Sequence, residues 1–545
     1  MPEPSYAHGA SATPLLRDTI GARLRSAAAE HPDREAVVSC EQDARLTYAQ
    51  LDDLVDRVAS GFLQLGVEAG DRVGVWAPNC VEWTVVQYAT ARIGAILVNV
   101  NPAYRTSELT YALRQSGMRI LMSASGFRSS DYRAMVREVS GDVGTLRDAI
   151  FFGDSAWSAL ASTPVDAEAL ADRDAGLDSD DPINIQYTSG TTGAPKGATL
   201  SHHNILNNGF FVGELCRYTE QDRICVPVPF YHCFGMVMGN LAALTHASCV
   251  VIPAAGFDPT ATLRAVAAER CTSLYGVPTM FIAMLADPAF AEHDLTSLRT
   301  GIMAGSPCPS EVMKRVVSEM HMTEVSICYG MTETSPVSTQ TRADDPLERR
   351  VSSIGRVGPH LEVKIVDADR GVAVPRGETG ELCTRGYSVM RGYWGDPERT
   401  SEAIDAAGWM HTGDLATMDD EGYLNIVGRS KDMVIRGGEN VYPREVEEFL
   451  STHPDVEDVQ VVGVPDERFG EELCAWFRLR PGAETLDADA VRAFCDGRLA
   501  HFKIPRYVVA DREFPLTVTG KVRKNVMRED SVELLGLGTT AGTAS

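Results

Sequence analysis

Residues 187–197 read Tyr-Thr-Ser-Gly-Thr-Thr-Gly-Ala-Pro-Lys-Gly, a segment that combines the groups needed to hold a phosphate. Its glycines permit positive φ and close approach of the backbone, and its hydroxyl and N–H groups can donate hydrogen bonds to phosphate oxygens. Lys196 adds a cation. An ordinary flexible turn rarely collects so many residues of these kinds, so the segment predicts a phosphate-binding loop. The residues assigned to it are Thr188, Ser189, Gly190, Thr191, Thr192, Gly193 and Lys196.

This loop is not a Walker P-loop. Lys196 is preceded by Pro195 and followed by Gly197, whereas the Walker motif requires Gly before the lysine and Ser or Thr after it. The residue pattern therefore excludes a Walker-type NTPase. The segment directly follows a strand-like apolar run at 183–187, which indicates that the loop begins at the carboxyl end of a strand.

Four further loops of the central region share this character. Each follows an apolar, strand-like run and is rich in Gly, Pro, Ser, Thr or His. In an open α/β sheet ligands bind beyond the carboxyl ends of the strands, so we expect these loops to converge with the first one on a single crevice. The four loops are 229–235, 276–279, 304–309 and 329–334.

The elements that must position these loops alternate along the chain. Helical periodicity at 46–65 and 81–93 alternates with apolar runs at 72–76 and 95–100. Such alternation predicts βα units and largely parallel sheets, and hence an α/β fold.

The carboxyl-terminal part of the chain has a different pattern. A polar, Gly-rich stretch at 429–442 comes first, and helical patterns at 444–450 and 488–499 then mix with β-rich runs. This mixture predicts a smaller α+β domain of ordinary size.

Composition excludes several classes of protein. The formal net charge is −25, from 50 basic and 75 acidic residues, which argues against nucleic acid or an anionic membrane surface as the main partner. The 12 cysteines form no C-x-x-C pair, so the sequence suggests neither a zinc site nor a disulfide framework and fits a cytoplasmic location. We expect neither a signal peptide nor a transmembrane segment, because no apolar run of the required length occurs. A homodimer and a weak peripheral membrane contact stay open.

Seven motifs along most of the chain carry a family resemblance. In their order they resemble the adenylate-forming (AMP-binding) superfamily, and the sequence around 184–208 and 303–341 is most similar to medium-chain or longer fatty acyl-CoA synthetases. Any one motif is weakly specific, but all of them in the family's order are very specific. They lie at 187–197, 229–235, 303–306, 329–333, 408–414, 428–432 with Gly437 and Gly438, and 515–521.

The resemblance implies a domain organisation. A large N-terminal domain of parallel-type βα sheets, with a β-barrel-like subdomain, is expected over 15–430. A small, mobile α+β C-terminal domain is expected over 431–532. The terminal segments 1–14 and 536–545 are expected to be disordered.

The resemblance also implies roles at the reacting phosphate. An acid is activated when its carboxylate oxygen attacks the α-phosphorus of ATP and pyrophosphate leaves, so negative charge must be neutralised there. Glu333 matches the family's Mg²⁺ ligand and Thr332 its α-phosphate contact. Lys521 matches the catalytic lysine that bridges the acyl carboxylate and the α-phosphate, where a preorganised cation commonly contributes a factor of about 10² to 10³.

The nucleoside of ATP is assigned to three further places by the same resemblance. Asp414, expected in a loop after Trp409, matches the carboxylate that takes both ribose hydroxyls, and Arg429 matches its neighbour at the ribose and phosphate. Small residues let the adenine stack on one loop, and Tyr329 covers its other face, although core packing of Tyr329 stays open. The base-side residues are Ala304, Gly305, Ser306, Tyr329, Gly330 and Met331.

The second half-reaction needs the thiol of CoA where Lys521 stood, and the family achieves this by rotating its C-terminal domain. Lys431 lies at the family's hinge position, which must absorb a large backbone change. Gly437 and Gly438 would border the pantetheine of CoA, because residues without Cβ permit a close backbone approach.

The acyl chain is assigned to the segment that follows His232. His232 resembles the gate between acyl pocket and thiol channel, and we group it with the catalytic residues without a role as a base. The run 234–244 is an apolar helix candidate in which Phe234, Met238 and Gly239 would line the pocket. A simple core helix fits this run equally well.

The activity implied by the resemblance is an AMP-forming ligase that uses ATP, Mg²⁺ and CoA to convert a fatty acid into its CoA thioester. Nothing charged stands in the pocket-lining segments to meet a substrate amine, so an apolar acid fits best. The alternatives are an aryl-acid–CoA ligase, an acyl-AMP ligase that acts on a carrier protein, and a catalytically silent nucleotide-binding regulator. Lys521, Glu333, Asp414 and Arg429 together argue against the last.

Overall fold

The computed structural model describes most of the 545 residues. The described ranges are 3–188, 195–306, 308–368, 370–436, 439–466, 468–483, 485–496, 498–510, 512–516 and 522–537, without the side chains of Ser430 and Asn440.

Helices occur throughout the described chain. The α-helices are α1 (Ile20–Glu30), α2 (Tyr48–Gln64), α3 (Val81–Ile93), α4 (Thr106–Ser116), α5 (Tyr132–Ser140), α6 (Ser155–Ala161), α7 (Ala167–Ala175), α8 (His202–Leu215), α9 (Cys233–Gly235), α10 (Ala242–Thr245), α11 (Pro259–Glu269), α12 (Pro278–Leu285), α13 (Ser310–Glu319), α14 (Leu347–Ser352), α15 (Pro397–Ala403), α16 (Pro443–Leu450), α17 (Ala488–Cys495) and α18 (Lys524–Leu534). A π-helical turn occupies Met236–Leu241, and 3₁₀ turns occupy Phe290–Glu292, Thr332–Thr334, Ser430–Asp432 and His501–Lys503.

Strands alternate with these helices. They are β1 (Tyr6–His8), β2 (Glu35–Ser39), β3 (Ala44–Thr47), β4 (Arg72–Trp76), β5 (Ile96–Asn99), β6 (Ile120–Ser123), β7 (Gly126–Phe127), β8 (Ser130–Asp131), β9 (Asp148–Phe151), β10 (Pro182–Thr188), β11 (Lys196–Ser201), β12 (Arg223–Cys225), β13 (Cys249–Ile252), β14 (Ser273–Gly276), β15 (Thr300–Ala304), β16 (Glu324–Gly330), β17 (Val337–Gln340), β18 (Arg356–Val357), β19 (Leu361–Val366), β20 (Gly380–Gly386), β21 (Gly392–Tyr393), β22 (Met410–Met418), β23 (Leu424–Arg429), β24 (Val434–Arg436), β25 (Glu439–Val441), β26 (Val456–Asp466), β27 (Gly470–Leu479) and β28 (Tyr507–Ala510).

Two large sheets carry the central region. One has the strand order β21-β11-β10-β5-β4-β6-β9, and the other has the order β18-β17-β16-β15-β14-β12-β13-β2-β3. Strands β10 to β9 of the first sheet and β16 to β2 of the second pair in parallel, whereas the remaining edge strands pair antiparallel. Parallel strands covered by helices are buried on both faces, which explains their nearly continuous apolar sequences. The predicted α/β fold is confirmed.

Contacts divide the chain into two units. The larger comprises Tyr6–Val363 and Cys383–His411, and the smaller comprises Lys364–Leu382, the chain beyond His411 and the few residues before Tyr6. Within the smaller unit, a sheet of order β25-β24-β27-β26, with β28 beside β27, packs against α16 and α17. A further five-stranded sheet has the order β1-β19-β20-β22-β23. Among the described residues, no helix is both long and apolar enough to cross a membrane.

Local sequence fixes the ends of the helices that precede the site. The predicted helix 46–65 is α2, which begins after Thr47 because Thr47 and Gln50 cap each other's backbone N–H groups. The predicted helix 81–93 is α3, which ends where Gly94 adopts a left-handed conformation with φ +71°. The glycine therefore sets the end of α3.

The N-terminal segment differs from expectation. Disorder was expected over 1–14, but Tyr6–His8 forms β1, and the backbones of Gly9 and Leu361 are joined by a hydrogen bond of 2.8 Å. The Tyr6 hydroxyl donates to Glu362 at 2.6 Å. The expectation of disorder is wrong for this stretch because a strand edge, which the local composition does not reveal, supplies its backbone partners.

Arg92 is the largest charged side chain in the core and joins α3 to α2. It is fully buried and forms ion pairs with Asp52 and Asp56 on α2. Burial raises the pKa of Asp56, and the Arg92 charge opposes that rise. Removal of one partner from such a buried group leaves uncompensated charge, which commonly destabilises a protein by about 3–5 kcal/mol.

We predict that Arg92→Gln lowers the melting temperature by several degrees, because Asp52 and Asp56 lose their counter-charge in a partly dry environment. Differential scanning calorimetry measures the shift. Arg57→Gln is the matched control, since Arg57 pairs with Asp53 on the exposed face of α2 at 2.7 Å and its loss leaves the melting temperature unchanged. Equal shifts for the two variants would contradict the stabilising role of the buried pair.

Candidate active site

Strands β10 and β11 border the predicted phosphate loop. Thr188 ends β10 and Lys196 begins β11, and the two residues are antiparallel partners across the pair. The Thr188 hydroxyl lies 3.5 Å from the Lys196 carbonyl oxygen. Thr188 and Lys196 therefore face each other across the strand pair where the sequence predicts phosphate.

Glu333 lies directly against this pair of strands. It occupies the 3₁₀ turn after β16 and is only 5 % exposed. Its Oε1 accepts hydrogen bonds from the hydroxyls of Thr188, at 3.1 Å, and of Tyr393, at 3.0 Å. Both donors bind Oε1 and neither binds Oε2. A buried carboxylate with one oxygen engaged in this way suits a hard cation such as Mg²⁺.

Tyr393 connects the carboxylate to the lysine. It lies on β21, next to β11, and the Nζ of Lys196 is 4.9 Å from the centre of its ring. Burial raises the pKa of Tyr393, and the Glu333 charge raises it further, so the phenol stays protonated and donates to the carboxylate. The ring thus has a cation at its face and an anion at its hydroxyl.

The turn that presents Glu333 is fixed by its own backbone. A Cβ at Gly330 would lie 1.7 Å from the carbonyl oxygen of Pro336, so only glycine fits there. The Thr334 hydroxyl donates to the same Pro336 oxygen at 2.7 Å and accepts from Met331 N–H at 3.1 Å. Gly330 and Met331, assigned from sequence to the nucleotide, therefore also shape the turn. Thr332 is buried beside Glu333.

The adenine-side loop begins at the end of a neighbouring strand. Ala304 ends β15 and is buried, whereas Gly305 and Ser306 are exposed beyond it. Gly305 has φ +92°, a conformation that other residues rarely adopt. Tyr329 lies on the adjacent strand β16 and is half-buried. The small residues and the Tyr329 ring thus lie at the carboxyl ends of two neighbouring parallel strands.

The segment that contains His232 is held by buried amides. Asn99 donates to the Tyr231 carbonyl at 2.9 Å, and the Cys233 thiol donates to Gln186 Oε1 at 3.2 Å. His232 Nδ1 accepts from Phe234 N–H at 3.2 Å, so in the neutral ring the proton lies on Nε2. Burial raises the pKa of Cys233 to about 12, so it acts as a donor and not as a thiolate nucleophile.

The predicted acyl segment is helical but irregular. Phe234 lies in the short helix α9, and Met238 and Gly239 lie in the π-helical turn that follows. All three are buried, and the Phe234 ring stacks on Tyr275 with centroids 5.6 Å apart.

Strands of two sheets, not of one, supply the predicted loops. The loop after β10 leaves the seven-stranded sheet, whereas loops 276–279, 304–309 and 329–334 follow β14, β15 and β16 of the other sheet. The bond from Thr188 to Glu333 and the bond from Cys233 to Gln186 bring the two sets together. Loops 229–235 and 329–334 therefore meet β10 between the two sheets, and convergence of the remaining loops stays a prediction.

Asp414, Arg429 and Lys431 lie in the smaller unit. Asp414 is in β22, so the expectation of a loop is wrong: the residues after Trp409 continue directly into strand pairing. Arg429 ends β23 opposite Asp414 and pairs with it at 3.1 Å. Lys431 is exposed in the 3₁₀ turn that follows.

Several predicted residues lie outside the described ranges. They are Ser189, Gly190, Thr191, Thr192 and Gly193 of the phosphate loop, Gly437 and Gly438, and Lys521.

Sequence reasoning missed Tyr393, Gln186 and Asn99. Tyr393 lies in a two-residue strand within Arg-Gly-Tyr-Trp-Gly at 391–395. The cluster of aromatic and glycine residues was the available sequence signal for a functional segment. Gln186 lies within β10 and Asn99 ends the apolar strand β5. A buried amide in a strand signals a required hydrogen-bond partner.

Comparisons with known proteins agree with this geometry. Residues 24–394 match the family described as AMP-binding enzyme, and residues 445–521 match the AMP-binding enzyme C-terminal domain. YngI of Bacillus subtilis (strain 168), provisionally named an acyl-CoA synthetase, is 48 % identical over 96 % of this chain and 99 % of its own length. The mitochondrial medium-chain acyl-CoA ligase ACSF2 of Danio rerio is 44 % identical over 98 % and 91 %.

A solved structure gives the same result for the fold. The crystal structure of ATP-bound MatB from Rhodopseudomonas palustris superposes with a TM-score of 0.82 and 30 % identity, covering 95 % of this chain and 100 % of that one. Both the N-terminal and the C-terminal family matches fall within the region of sequence similarity. This chain therefore belongs to the AMP-binding enzyme family.

Proposed function

We propose that this protein is an AMP-forming acyl-CoA ligase that activates a fatty acid of medium or longer chain with ATP and transfers the acyl group to CoA. The observation that carries the proposal is the position of the buried Glu333 carboxylate, bonded to Thr188 at the edge of the phosphate loop and to Tyr393 beside Lys196. A cation-binding carboxylate next to a phosphate-binding loop is what activation by ATP requires.

In the first half-reaction the acid attacks the α-phosphorus and pyrophosphate leaves. Lys196 and the hydroxyl of Thr188 bind phosphate oxygens, and Thr332 contacts the α-phosphate. Glu333 would hold Mg²⁺, which when bound would supply positive charge to the phosphates. Lys521 bridges the acid and the α-phosphate, and the acyl adenylate results.

The fatty acid is favoured by the character of the segment after His232. Residues 234–244 contain no charged side chain, and the whole turn Met236–Leu241 is buried. A relative with 44 % identity is named a medium-chain acyl-CoA ligase. An apolar chain is therefore the expected occupant.

The smaller unit serves the ribose and the second half-reaction. Asp414 accepts hydrogen bonds from the ribose hydroxyls. Arg429 forms an ion pair with Asp414 and so fixes the orientation of the Asp414 carboxylate. The C-terminal domain, over 431–532, then turns about Lys431 so that Gly437 and Gly438 border CoA. The thiol attacks the acyl adenylate, and acyl-CoA and AMP are released.

Product analysis tests the proposal directly. Incubation with ATP, Mg²⁺, CoA and a series of acids from acetate to palmitate, with benzoate added, is expected to give acyl-CoA, AMP and pyrophosphate, with turnover highest at one medium or longer chain. Mass spectrometry identifies the products. Acyl-AMP without thioester would indicate transfer to a carrier protein, a preference for benzoate would indicate an aryl-acid ligase, and no turnover would indicate a silent nucleotide-binding protein.

We predict that Tyr393→Phe raises the Mg²⁺ concentration needed for half-maximal acyl-AMP formation by about 10- to 100-fold. A partner that orients a metal ligand commonly contributes that much to metal affinity. The measurement is pyrophosphate release as a function of Mg²⁺ at saturating ATP. Tyr132→Phe is the matched control, since it removes a buried hydroxyl that donates to the Pro102 carbonyl and not to Glu333. Unchanged Mg²⁺ dependence in Tyr393→Phe would refute the assignment of Glu333 as the metal ligand.

We predict that Lys521→Ala lowers acyl-AMP formation by about 10²- to 10³-fold, because it removes a cation from the developing charge. Thioester formation from supplied acyl-AMP and CoA should remain largely intact, since the second pose does not use this lysine. Rapid-quench assays separate the two half-reactions. If both fell equally, the two-pose assignment would be wrong.

A further inference from the structure

The turn Met236–Leu241 is a π-helix between two short α-helical pieces. The α-helical pieces are α9 and α10, and the backbone N–H of Ala242 donates to the carbonyl of Val237, five residues earlier. A π-turn is rare and occurs often at functional sites, because the wider winding is less favourable than an α-helix unless its surroundings maintain it. The six residues are all buried.

Three side chains donate hydrogen bonds to alternate carbonyl oxygens of this turn. Gln87 donates to Met236 O at 3.4 Å, Tyr275 donates to Met238 O at 2.9 Å, and Tyr88 donates to Asn240 O at 3.0 Å. All three donors are at most 3 % exposed. A buried carbonyl that loses its donor is destabilised because no water replaces the lost hydrogen bond, so each bond favours the backbone position that makes it.

The donors come from two different elements. Gln87 and Tyr88 lie on α3, whereas Tyr275 lies on β14. Residues two apart lie on roughly opposite sides of a helix axis, which is consistent with donors that come from two different elements. Gln87 also accepts from Asn240 Nδ2 at 2.8 Å, so it contacts both ends of the turn. Together the donors fix the rotation of the turn about its axis.

Tyr275 also connects this turn to the substrate side. Its ring stacks on Phe234, and its strand β14 leads directly into the loop 276–279 at the nucleotide site. Tyr275 therefore contacts the proposed acyl segment from a strand that ends at the proposed nucleotide site.

We propose that Gln87, Tyr88 and Tyr275 are positioning residues that hold Met236–Leu241 in the π-helical register and thereby set the chain length of the acid that the enzyme accepts. The inference rests on the proposed function. A change to the α-helical register rotates the following side chains, so Val237 and Met238 present different surfaces and the depth available to the acyl chain changes. One methylene in an apolar pocket commonly changes specificity by about 10- to 200-fold.

The test compares kcat/KM across a series of acids from butyrate to palmitate for the wild type, Tyr275→Phe and Tyr88→Phe. Each variant loses one hydroxyl that donates to the turn, and Tyr275→Phe also loses the hydrogen bond of 2.9 Å that Tyr218 donates to the Tyr275 hydroxyl. We expect the ratio of kcat/KM between the longest and the shortest accepted acid to change by about tenfold or more, whereas kcat for the best acid changes less. An unchanged ratio in both variants overturns the proposal.

Tyr48→Phe is the matched control. Its hydroxyl is buried in the same core and donates to the carbonyls of Ala243 and Ser248, both beyond the π-turn. It should leave the chain-length ratio unchanged, and a shift equal to that of Tyr275→Phe would show a general loosening of the core instead.

Hydrogen–deuterium exchange adds a readout that does not require activity. The amides of 236–242 should exchange faster in Tyr275→Phe than in Tyr48→Phe, because the donor that fixes the turn is lost. Equal exchange in the two variants overturns the proposal even if a variant is poorly active. If the wild type converts none of the acids, the proposed function fails, whereas normal conversion with an unchanged ratio means that only the present inference fails.

Discussion

The buried carboxylate of Glu333 is the constraint on which the arrangement of the larger unit depends. A charged group removed from water is unfavourable unless hydrogen bonds or a cation compensate it. Its two hydroxyl donors belong to β10 and β21 of one sheet, whereas Glu333 follows β16 of the other sheet. The bonds can form only if the two sheets hold a fixed relative position. The need to compensate this carboxylate therefore explains why Glu333 stays next to Thr188, at the start of the predicted phosphate loop.

Strand β10 contacts both the turn that contains Glu333 and the segment that contains His232. Its last residue, Thr188, reaches Glu333, and two residues earlier Gln186 accepts from Cys233, next to His232. Gln186 Nε2 donates to Asn184, and Asn184 donates to Asn99, so a chain of buried amides crosses β10 and β5. Such a chain is favourable only when every buried amide has its hydrogen-bond partners. This requirement restricts each side chain to one orientation. The segments predicted to bind the nucleotide and the acyl chain are therefore both anchored on β10.

Local sequence predicted the features whose causes are local. The helix Val81–Ile93 and the strand Arg72–Trp76 follow from periodicity, and the family motifs indicated the fold. The phosphate loop stays a prediction, because residues 189–193 lie outside the described ranges. The missed features depend on distant partners. Tyr393 matters because β21 pairs with β11, and Asp414 lies in a strand because β23 pairs with β22 over residues 414–418. Residues Tyr6–His8 are ordered for the same reason.

The π-turn shows the limit of sequence reasoning most clearly. Residues 234–244 are apolar with two glycines, a pattern that predicts a helix but cannot distinguish an α-helix from a π-helix, because their periods differ little over so short a run. The distinction comes from Gln87, Tyr88 and Tyr275, which lie far away in sequence and each bind one carbonyl. Proteins with the same motifs around His232 can therefore differ in the register of this turn. If that register sets the depth of the acyl pocket, the motifs identify the reaction, and the donors around the turn select the acid.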